Sequence, residues 1–525
     1  MLAAADADDE AAQVARWPGP LAAVDMGSNS FRLEIGHVVG LRYRRVEYLK
    51  ETVRLGAGLD AEGMLDEEAS ARGLACLDRF ARRLDGLRPS QVRAVATQTL
   101  REARNRDLFL ARAQQALGMP IEVISGREEA RLIYAGVARL QPSPVPRLVI
   151  DIGGRSTEMI LGKGLKPVQA ESFQVGSVSL SMRYFPDGRY TEQGFRDAQV
   201  AAGAELEEAL EPFGAQHWRE ALGSSGTVGA VSQVLAASGI DEGRITPQGL
   251  RWLIEQCLRA GHMDRLVLPG LKDERRPVLG GGLAILYTLA AQFGITALHP
   301  ARGALRQGVI FDLDERRRAA AAEPRGHDMR EASVRALQRR FGVDTAQAER
   351  VARTAARLYE SARPGAPREA RRELQWASAL HEVGMMVSHH DHHRHSAYVL
   401  AHVDAPGFSQ SQLRRVAALV LGQRGGLRKV ESYIGGDEYA WQLLALRIAA
   451  ILAHARAATE PAAVDLRADG HVARLGLEPG WAERHPRTLH LLVAEVDAWS
   501  RTGRLTLVLE TLGEPRRKGA ARAAA

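Results

Sequence analysis

The stretch VIDIGGRSTEMI, Val149 to Ile160, carries residues that could do chemistry: an apolar run enters a glycine turn and leaves into a second apolar run. A glycine-rich turn between strands exposes backbone N–H groups that can bind phosphate oxygens. Asp151 before the turn and Glu158 after it add carboxylates, and Ser156 adds a hydroxyl. A plain hairpin, in which glycine only supplies a positive φ, is the alternative.

An earlier stretch, AVDMGSNSFRLEI, repeats this pattern. The alignment pairs three residues of each copy at a constant offset of 126 positions: Asp25 with Asp151, Gly27 with Gly153, and Ser30 with Ser156. An offset of this size makes each copy part of a domain-sized unit. We therefore expect two similar α/β lobes, each with an Asp-x-Gly hairpin, and a phosphate site in the cleft.

The predicted phosphate site combines the residues of both turns with nearby cations. Its members are Gly27, Ser28, Asn29, Ser30 and Arg32 from the first copy and Gly153, Gly154, Arg155 and Ser156 from the second. Arg155 stands where a third glycine is expected, although Asn29 holds the same place in the first copy. If this position needs a positive φ, arginine costs about 1 kcal/mol of strain.

Alternating strands and helices surround the two turns and predict an α/β layer architecture. VRAVATQTL and PIEVIS read as strands, and RDLFLARAQQALG and GREEARLIYAGVARL read as helices. Beyond a basic, alanine-rich linker, Glu315 to Asp328, the pattern becomes mostly helical. The predicted segments are 19–132 (lobe I), 133–315 (lobe II), 316–462 (a helical domain), 463–512 (a small strand-containing domain) and 513–525 (a disordered basic tail).

Six stretches, in order over residues 20–312, resemble the exopolyphosphatase/guanosine pentaphosphate phosphohydrolase (Ppx/GppA) family: VDMGSNSFRL, ATQTLREARN, ISGREEARLIY, VIDIGGRSTE, LGSSGTVGA and ARGALRQGVI. Further on, LHEVG and HRHSAYVL resemble the HD-like domain of the family's long members. The resemblance implies a bilobed actin-like (ribonuclease H-like) duplicated fold. A mainly helical HD-like domain and a small C-terminal α+β domain would follow it.

The resemblance also implies site residues. The family's catalytic glutamate matches Glu129, which would hold the attacking water as general base. Acidic residues at a helix start are also favoured by the helix dipole, and this explains Glu128. Arg101 follows a predicted strand, where its guanidinium can contact phosphate; a surface salt bridge is the alternative. Gly226 is expected to line the cleft or to form a tight structural turn.

Mg²⁺ is the expected cofactor, because hydrolysis of a phosphoanhydride requires neutralised charge and a hard cation prefers oxygen ligands. Asp151 and Glu158 are the expected ligands, directly or through water, and Asp25 is the first-copy counterpart. The alternative for each aspartate is an Asx-turn with its own backbone.

A histidine-rich segment, Ser388 to Ser396, and HEVG at His381 suggest a second metal site. HEVG resembles the HD signature, but Glu382 replaces the aspartate and the later stretch LVLGQRGG has no histidine. We therefore expect a solvated histidine-rich loop on a structural helical domain, where its positive charge could help to hold a polyanion.

Composition limits the class of protein. The 525 residues, 45% of them apolar, suffice for several cores, and the net charge of +7 favours an anionic partner unless it reflects an arginine bias. Two distant cysteines, Cys76 and Cys257, indicate a reducing compartment. The N-terminus lacks signal-peptide features, and no run is long enough to span a membrane. We expect a cytoplasmic protein that does not bind nucleic acid.

Three functions fit these observations. The first is Mg²⁺-dependent, processive exopolyphosphatase activity on inorganic polyphosphate. The second is guanosine pentaphosphate 5′-phosphohydrolase activity, with guanosine pentaphosphate or tetraphosphate as partner. The third is a polyphosphate or alarmone binding protein that has lost turnover through Arg155. The long members of the family also lead us to expect a homodimer.

Overall fold

The computed structural model describes residues 19–40, 42–321, 327–456 and 463–512. The chain divides into two compact units, residues 1–328 (unit 1) and 329–525 (unit 2). The predicted tail, 513–525, lies outside the described residues. Among the described helices, none is both long enough and apolar enough to cross a membrane.

Within its described residues, unit 1 contains two five-stranded sheets. The strands of the first are β1 (Leu21–Met26), β2 (Phe31–Val39), β3 (Arg42–Glu51), β4 (Val92–Ala96) and β5 (Ile121–Val123). The strands of the second are β6 (Arg147–Ile152), β7 (Thr157–Lys163), β8 (Lys166–Phe173), β9 (Glu220–Gly223) and β10 (His299–Pro300).

The two sheets have the same topology. Their strand orders are β3-β2-β1-β4-β5 and β8-β7-β6-β9-β10. Strand β1 is antiparallel to β2 and parallel to β4. In the same way, β6 is antiparallel to β7 and parallel to β9. The central strands β1 and β6 are mostly apolar because both of their faces are covered. This duplication confirms the predicted bilobed α/β, actin-like architecture.

Ten helices among the described residues cover the sheets of unit 1. They are α1 (Glu67–Arg83), α2 (Gln98–Glu102), α3 (Arg106–Leu117), α4 (Gly126–Leu140), α5 (Ser177–Tyr184), α6 (Glu192–Leu206), α7 (Gly226–Ala237), α8 (Pro247–Ala260), α9 (Arg276–Gln292) and α10 (Leu305–Ala320). Serine side chains cap two of them: Ser125 accepts the Glu128 N–H at the start of α4, and Ser225 accepts the Val228 N–H at the start of α7.

Helix α10 packs on a different lobe from the one predicted. Lobe II was predicted to extend to residue 315, but α10 packs on β1, β2 and β4 of the first sheet and on α4. Phe311 of α10 shares one hydrophobic core with Ile133 and Tyr134 of α4. The predicted boundary at 132/133 also falls inside α4. Helix α10 continues to Ala320, so the first part of the predicted linker is helical.

Unit 2 is mostly helical. Its helices are α11 (Met329–Arg340), α12 (Thr345–Ala362), α13 (Arg368–Leu380), α14 (His392–His402), α15 (Gln410–Gly422), α16 (Glu431–Ile434), α17 (Asp437–Leu452), α18 (Trp481–Arg484) and α19 (Pro486–Ser500). A sheet follows, with strands β11 (Val464–Asp469), β12 (Val472–Leu477) and β13 (Thr506–Thr511). Trp376, Trp441 and Trp499 lie in one core that joins both segments predicted as separate domains.

The histidine-rich segment is not the solvated loop that was predicted. Helix α14 begins at His392, and the side chains of His392 and His393 are buried, with 5% exposure each. His390 stays exposed. The helical repeat explains the difference, because one face of α14 packs against the unit while the preceding residues face solvent. The HD-like assignment of this unit stays a prediction.

Candidate active site

A cavity of about 250 Å³ in unit 1 collects most of the predicted site residues. Those on its wall are Gly27, Ser28, Asn29, Ser30, Arg32, Glu129, Asp151, Gly153, Gly154, Ser156 and Gly226. The turn between β1 and β2 lies beside the turn between β6 and β7, because β1 and β6 both end at this cavity. The duplicated hairpins therefore face one shared space.

The strand register of the two hairpins is equivalent, but the charges of the facing residues differ. In the first hairpin Asp25 lies opposite Arg32, and in the second Asp151 lies opposite Glu158. The Arg32 guanidinium pairs with the Asp25 carboxylate at 3.1 Å. The first hairpin thus presents a neutralised pair, whereas the second presents two carboxylates.

The turn carbonyl groups are bonded to neighbouring protein donors. The Ser28 carbonyl accepts the Gly56 N–H at 2.8 Å. The carbonyls of Gly153 and Gly154 accept the N–H groups of Ser177 and Val178 at 3.0 and 2.8 Å. These oxygens, which would repel a phosphate, are therefore engaged by the protein.

Close contacts, and not left-handed backbone, explain the glycines of the two turns: Gly27 and Gly153 each approach a carbonyl of their own turn, and Gly154 approaches the other turn. Gly27, Gly153 and Gly154 do not have a positive φ. A Cβ on Gly154 would lie 3.0 Å from the Cβ of Ser28 in the other turn. The plain-hairpin alternative therefore lacks its stated physical basis here.

Arg155 does not have a positive φ either, so the strain considered from the sequence is absent. Its side chain is not part of the cavity wall as described. The Nε of Arg155 donates to Glu102 Oε2 at 2.7 Å, and Nη1 donates to the Gly56 carbonyl at 3.2 Å. Arg155 therefore links the second turn to α2 and to the segment before α1.

Glu129 lies in the first turn of α4 and is buried. The Nη1 of Arg101 donates to Glu129 Oε2 at 2.7 Å and to the Ile124 carbonyl at 3.0 Å. Burial raises the pKa of Glu129 to about 7; Arg101 opposes this rise, and the charges of Asp151 and Asp25 add to it. Arg101 holds this carboxylate and is not on the described cavity wall.

Asp151 and Glu158 form the acidic side of the site. The Ser224 hydroxyl donates to the Asp151 carboxylate, and the Ser172 hydroxyl donates to Glu158 Oε1 at 2.8 Å. Burial raises the pKa of both, and in Glu158 the charges of Glu129 and Asp151 raise it further. Asp151 is on the cavity wall, whereas Glu158 is not part of the wall as described.

Three cations on the wall were not identified from the sequence: Lys50, Arg275 and Arg306. Arg306 lies in ARGALRQGVI, one of the six stretches that carry the family resemblance. Lys50 on β3 and Arg275 before α9 have no motif of their own, since only folding brings these segments to the cavity. The N-terminal residues of α7 add a positive helix end.

Comparisons with known proteins identify the family of this chain. The sequence profile of the Ppx/GppA phosphatase family matches residues 35–317, and the profile of its domain III matches residues 329–496. The solved structure of an exopolyphosphatase-like protein is 26% identical, with a TM-score of 0.50, over 57% of this chain and 99% of the other.

An exopolyphosphatase from Cytophaga hutchinsonii has the same fold at 23% identity, with a TM-score of 0.51, over 59% of this chain and 100% of that one. The family profile covers more than half of this chain, and the duplicated lobes and their shared cleft are in place. The chain therefore belongs to the Ppx/GppA phosphatase family.

Proposed function

We propose that this protein is an exopolyphosphatase that removes terminal phosphate from inorganic polyphosphate, processively and with Mg²⁺, using Glu129 as general base. One observation carries the proposal: both hairpin turns converge on a cavity whose wall also holds Glu129 and several cations. The cations are Arg32, Lys50, Arg275 and Arg306. Three of them also pair with a carboxylate: Arg32 with Asp25, Lys50 with Glu274 and Arg306 with Glu34. Fixed positive charge suits a polyanion, and a buried carboxylate suits activation of water.

In the proposed reaction, water attacks the terminal phosphorus, and Glu129 accepts a proton from that water. The bond from this phosphorus to the bridging oxygen breaks. Orthophosphate leaves, and the shortened chain keeps the bridging oxygen on its new terminal phosphate. Arg101 is a positioning residue, because its guanidinium fixes the Glu129 carboxylate.

The residues present fit Mg²⁺. Asp151 is half-buried on the cavity wall, Glu158 is buried opposite it across the hairpin, and the buried Ser30 hydroxyl lacks a hydrogen-bond partner within the described structure. No group of three or more acidic, histidine or cysteine side chains is arranged as a metal cage among the described residues. Mg²⁺ is usually bound through one or two carboxylates with waters and phosphate oxygens. Bound there, it would neutralise phosphate charge.

The test is release of orthophosphate from long-chain polyphosphate by the purified protein, with Mg²⁺ and in a metal-free control. Guanosine pentaphosphate is assayed in parallel, because the same residues could remove its terminal phosphate. Metal-dependent release from polyphosphate at the higher kcat/KM supports the proposal. Faster turnover of guanosine pentaphosphate would transfer the assignment to that substrate. Tight polyphosphate binding without release from either would indicate a binding protein.

A further inference from the structure

A second and larger cavity lies wholly within unit 2 and has no part in the proposed reaction. Its volume is about 560 Å³, which is within the range of small-molecule sites. Helices α12, α14, α17 and α19 all contribute to its wall. The cavity is thus built between packed helices, which hold its shape.

One part of the wall holds three arginines together with the carboxylates of Glu382 and Glu495. Arg447 is buried and its guanidinium is engaged by Glu495, at 2.7 Å from Nη2 to Oε2. Arg456 donates to Glu382 at 2.7 Å. Arg424 is exposed, and the described structure shows no hydrogen bond or ion pair to its guanidinium. Arg424 is therefore available to an anionic ligand.

His392 supplies an independent indication of a ligand site. Its side chain is 5% exposed, it lies on the cavity wall, and its Nδ1 is buried without a hydrogen-bond partner among the described residues. A buried polar atom without a partner costs free energy, so native structures normally satisfy it. A ligand in this cavity would do so.

Another part of the wall is apolar, beside polar side chains that include Gln347, Gln423 and His454. The apolar side chains come from α17 and α19: Ile451, Leu491, Ala494 and Ala498. Inorganic anions gain nothing from such a surface, and no group of three or more potential metal ligands is present among the described residues. A ligand with a flat apolar part and an anionic part would contact both kinds of wall.

We propose that this cavity binds a nucleoside phosphate, with the base against Ile451, Leu491 and Ala494 and the phosphate near Arg424 and His392. The cavity lies outside the active-site cleft, so the proposal does not depend on the activity assigned to unit 1. A failure of the binding proposal for unit 2 would not affect the activity proposed for unit 1, and the reverse also holds.

The experiment is isothermal titration calorimetry of the full chain with ADP and GDP as probes. Arg424→Ala should weaken binding about tenfold, which corresponds to one lost charge-assisted hydrogen bond. Ala494→Trp should abolish binding, because the indole fills the cavity from an exposed position of α19. Arg428→Ala, a neighbouring exposed arginine outside the wall, is the matched control and should bind normally. Circular dichroism checks that each variant is folded.

Several results would overturn the proposal. One is the absence of binding by both nucleotides. Another is binding that both cavity variants leave unchanged and that excess polyphosphate displaces, because the nucleotide would then occupy the cleft of unit 1. Tripolyphosphate that binds as tightly as ADP, and with the same loss in Ala494→Trp, would show that the apolar wall does not recognise a base.

Discussion

Glu129 is subject to opposing influences on its proton affinity. Burial raises its pKa, the Arg101 guanidinium lowers it, and the carboxylates of Asp151 and Asp25 raise it again, with a result of about 7. A general base is most effective when its pKa is near the working pH. The placement of one arginine against one buried carboxylate therefore gives this residue the affinity that the proposed chemistry needs.

Replacement of Glu129 by glutamine is expected to lower kcat on polyphosphate about 10²-fold or more, with a small change in KM. The amide keeps the size of the side chain but cannot accept the proton of water. Phosphate release under saturating substrate measures the effect. Glu171→Gln, at a glutamate that pairs with the surface residue Arg127, is the control. Unchanged kcat in Glu129→Gln would remove Glu129 from the role of base.

At the scale of elements, an ion pair between Arg155 and Glu102 connects the second hairpin turn to α2. The Arg155 guanidinium and the Glu102 carboxylate are both partly exposed, at 21% and 26%. A pair of this kind stabilises a fold by about 1 kcal/mol after screening by solvent. This ion pair lies outside the described cavity wall, so we expect its role to be structural.

Arg155→Gly should therefore keep kcat within a few-fold and lower the free energy of unfolding by about 1–2 kcal/mol, which includes the greater freedom of glycine. Urea denaturation and phosphate release measure the two quantities. Glu102→Gln should give a similar loss of stability, and the double variant should lose less than the sum. A large fall in kcat with unchanged stability would instead place Arg155 in the phosphate site.

Helix α10 is attached to the first lobe by a buried ion-pair network. Asp312 contacts Arg93 at 2.7 Å, Arg131 at 2.6 Å and Arg316 at 2.6 Å. Burial alone would raise the pKa of Asp312, but the three arginines outweigh it and hold this pKa well below its usual range. The network joins α10 to β4 and α4, and it therefore supports the helix that carries Glu129.

Asp312→Asn should destabilise the protein by about 3 kcal/mol, because it removes the carboxylate that three arginines share. The loss stays at the lower end for a buried pair, since Glu122 and Glu128 still pair with two of these arginines. Asp314→Asn on the same helix, which breaks only the pair with Arg318, should cost clearly less. Since the folded pKa of Asp312 is depressed, its contribution is present above its ordinary pKa and is lost as pH falls below it. Urea unfolding at pH 7 compares the variants; equal losses would contradict the network argument.

At the scale of the whole molecule, the two units should differ in their response to mild acid. Burial lowers the pKa of His392 and of His393 to about 4 each. Further influences on His392 come from Glu382, His381, Arg424 and His389, and on His393 from Lys429, Asp391, His392 and Arg394. An unfolded histidine titrates near pH 6.5, so between pH 4 and 6.5 the unfolded state binds more protons.

Because the unfolded state binds more protons in this range, unit 2 should lose stability as pH falls, by about 2–4 kcal/mol between pH 7 and 5 for the two histidines together. Hydrogen exchange resolved by segment, at pH values from 7 to 5, measures this loss separately from that of unit 1. His392→Gln and His393→Gln should flatten the dependence. His390→Gln, at an exposed histidine, should leave it unchanged. A dependence that persists in both buried-site variants would contradict the prediction.

Much of the fold could be predicted from local pattern. The Asp-x-Gly repeat indicated two equivalent hairpins, and the structure places Gly27 and Gly153 on one cavity. The domain boundaries were harder to predict from the sequence. The lobe on which α10 packs depends on contacts between Asp312 and residues some 200 positions earlier in the chain. Burial of His392 was missed because a run of histidines reads as polar until its helical face is known.

The sequence by itself determined the family, the duplicated α/β lobes and the residues of both turns, because these rest on short motifs and on hydrophobic periodicity. Only the tertiary structure decided which charges meet. It turned Arg101 toward Glu129 and Arg155 toward Glu102, brought Lys50, Arg275 and Arg306 to the cleft, and opened a cavity beside His392. Pairing and burial of charge depend on distances between segments remote in sequence, and spacing along the chain does not encode those distances in a readable form.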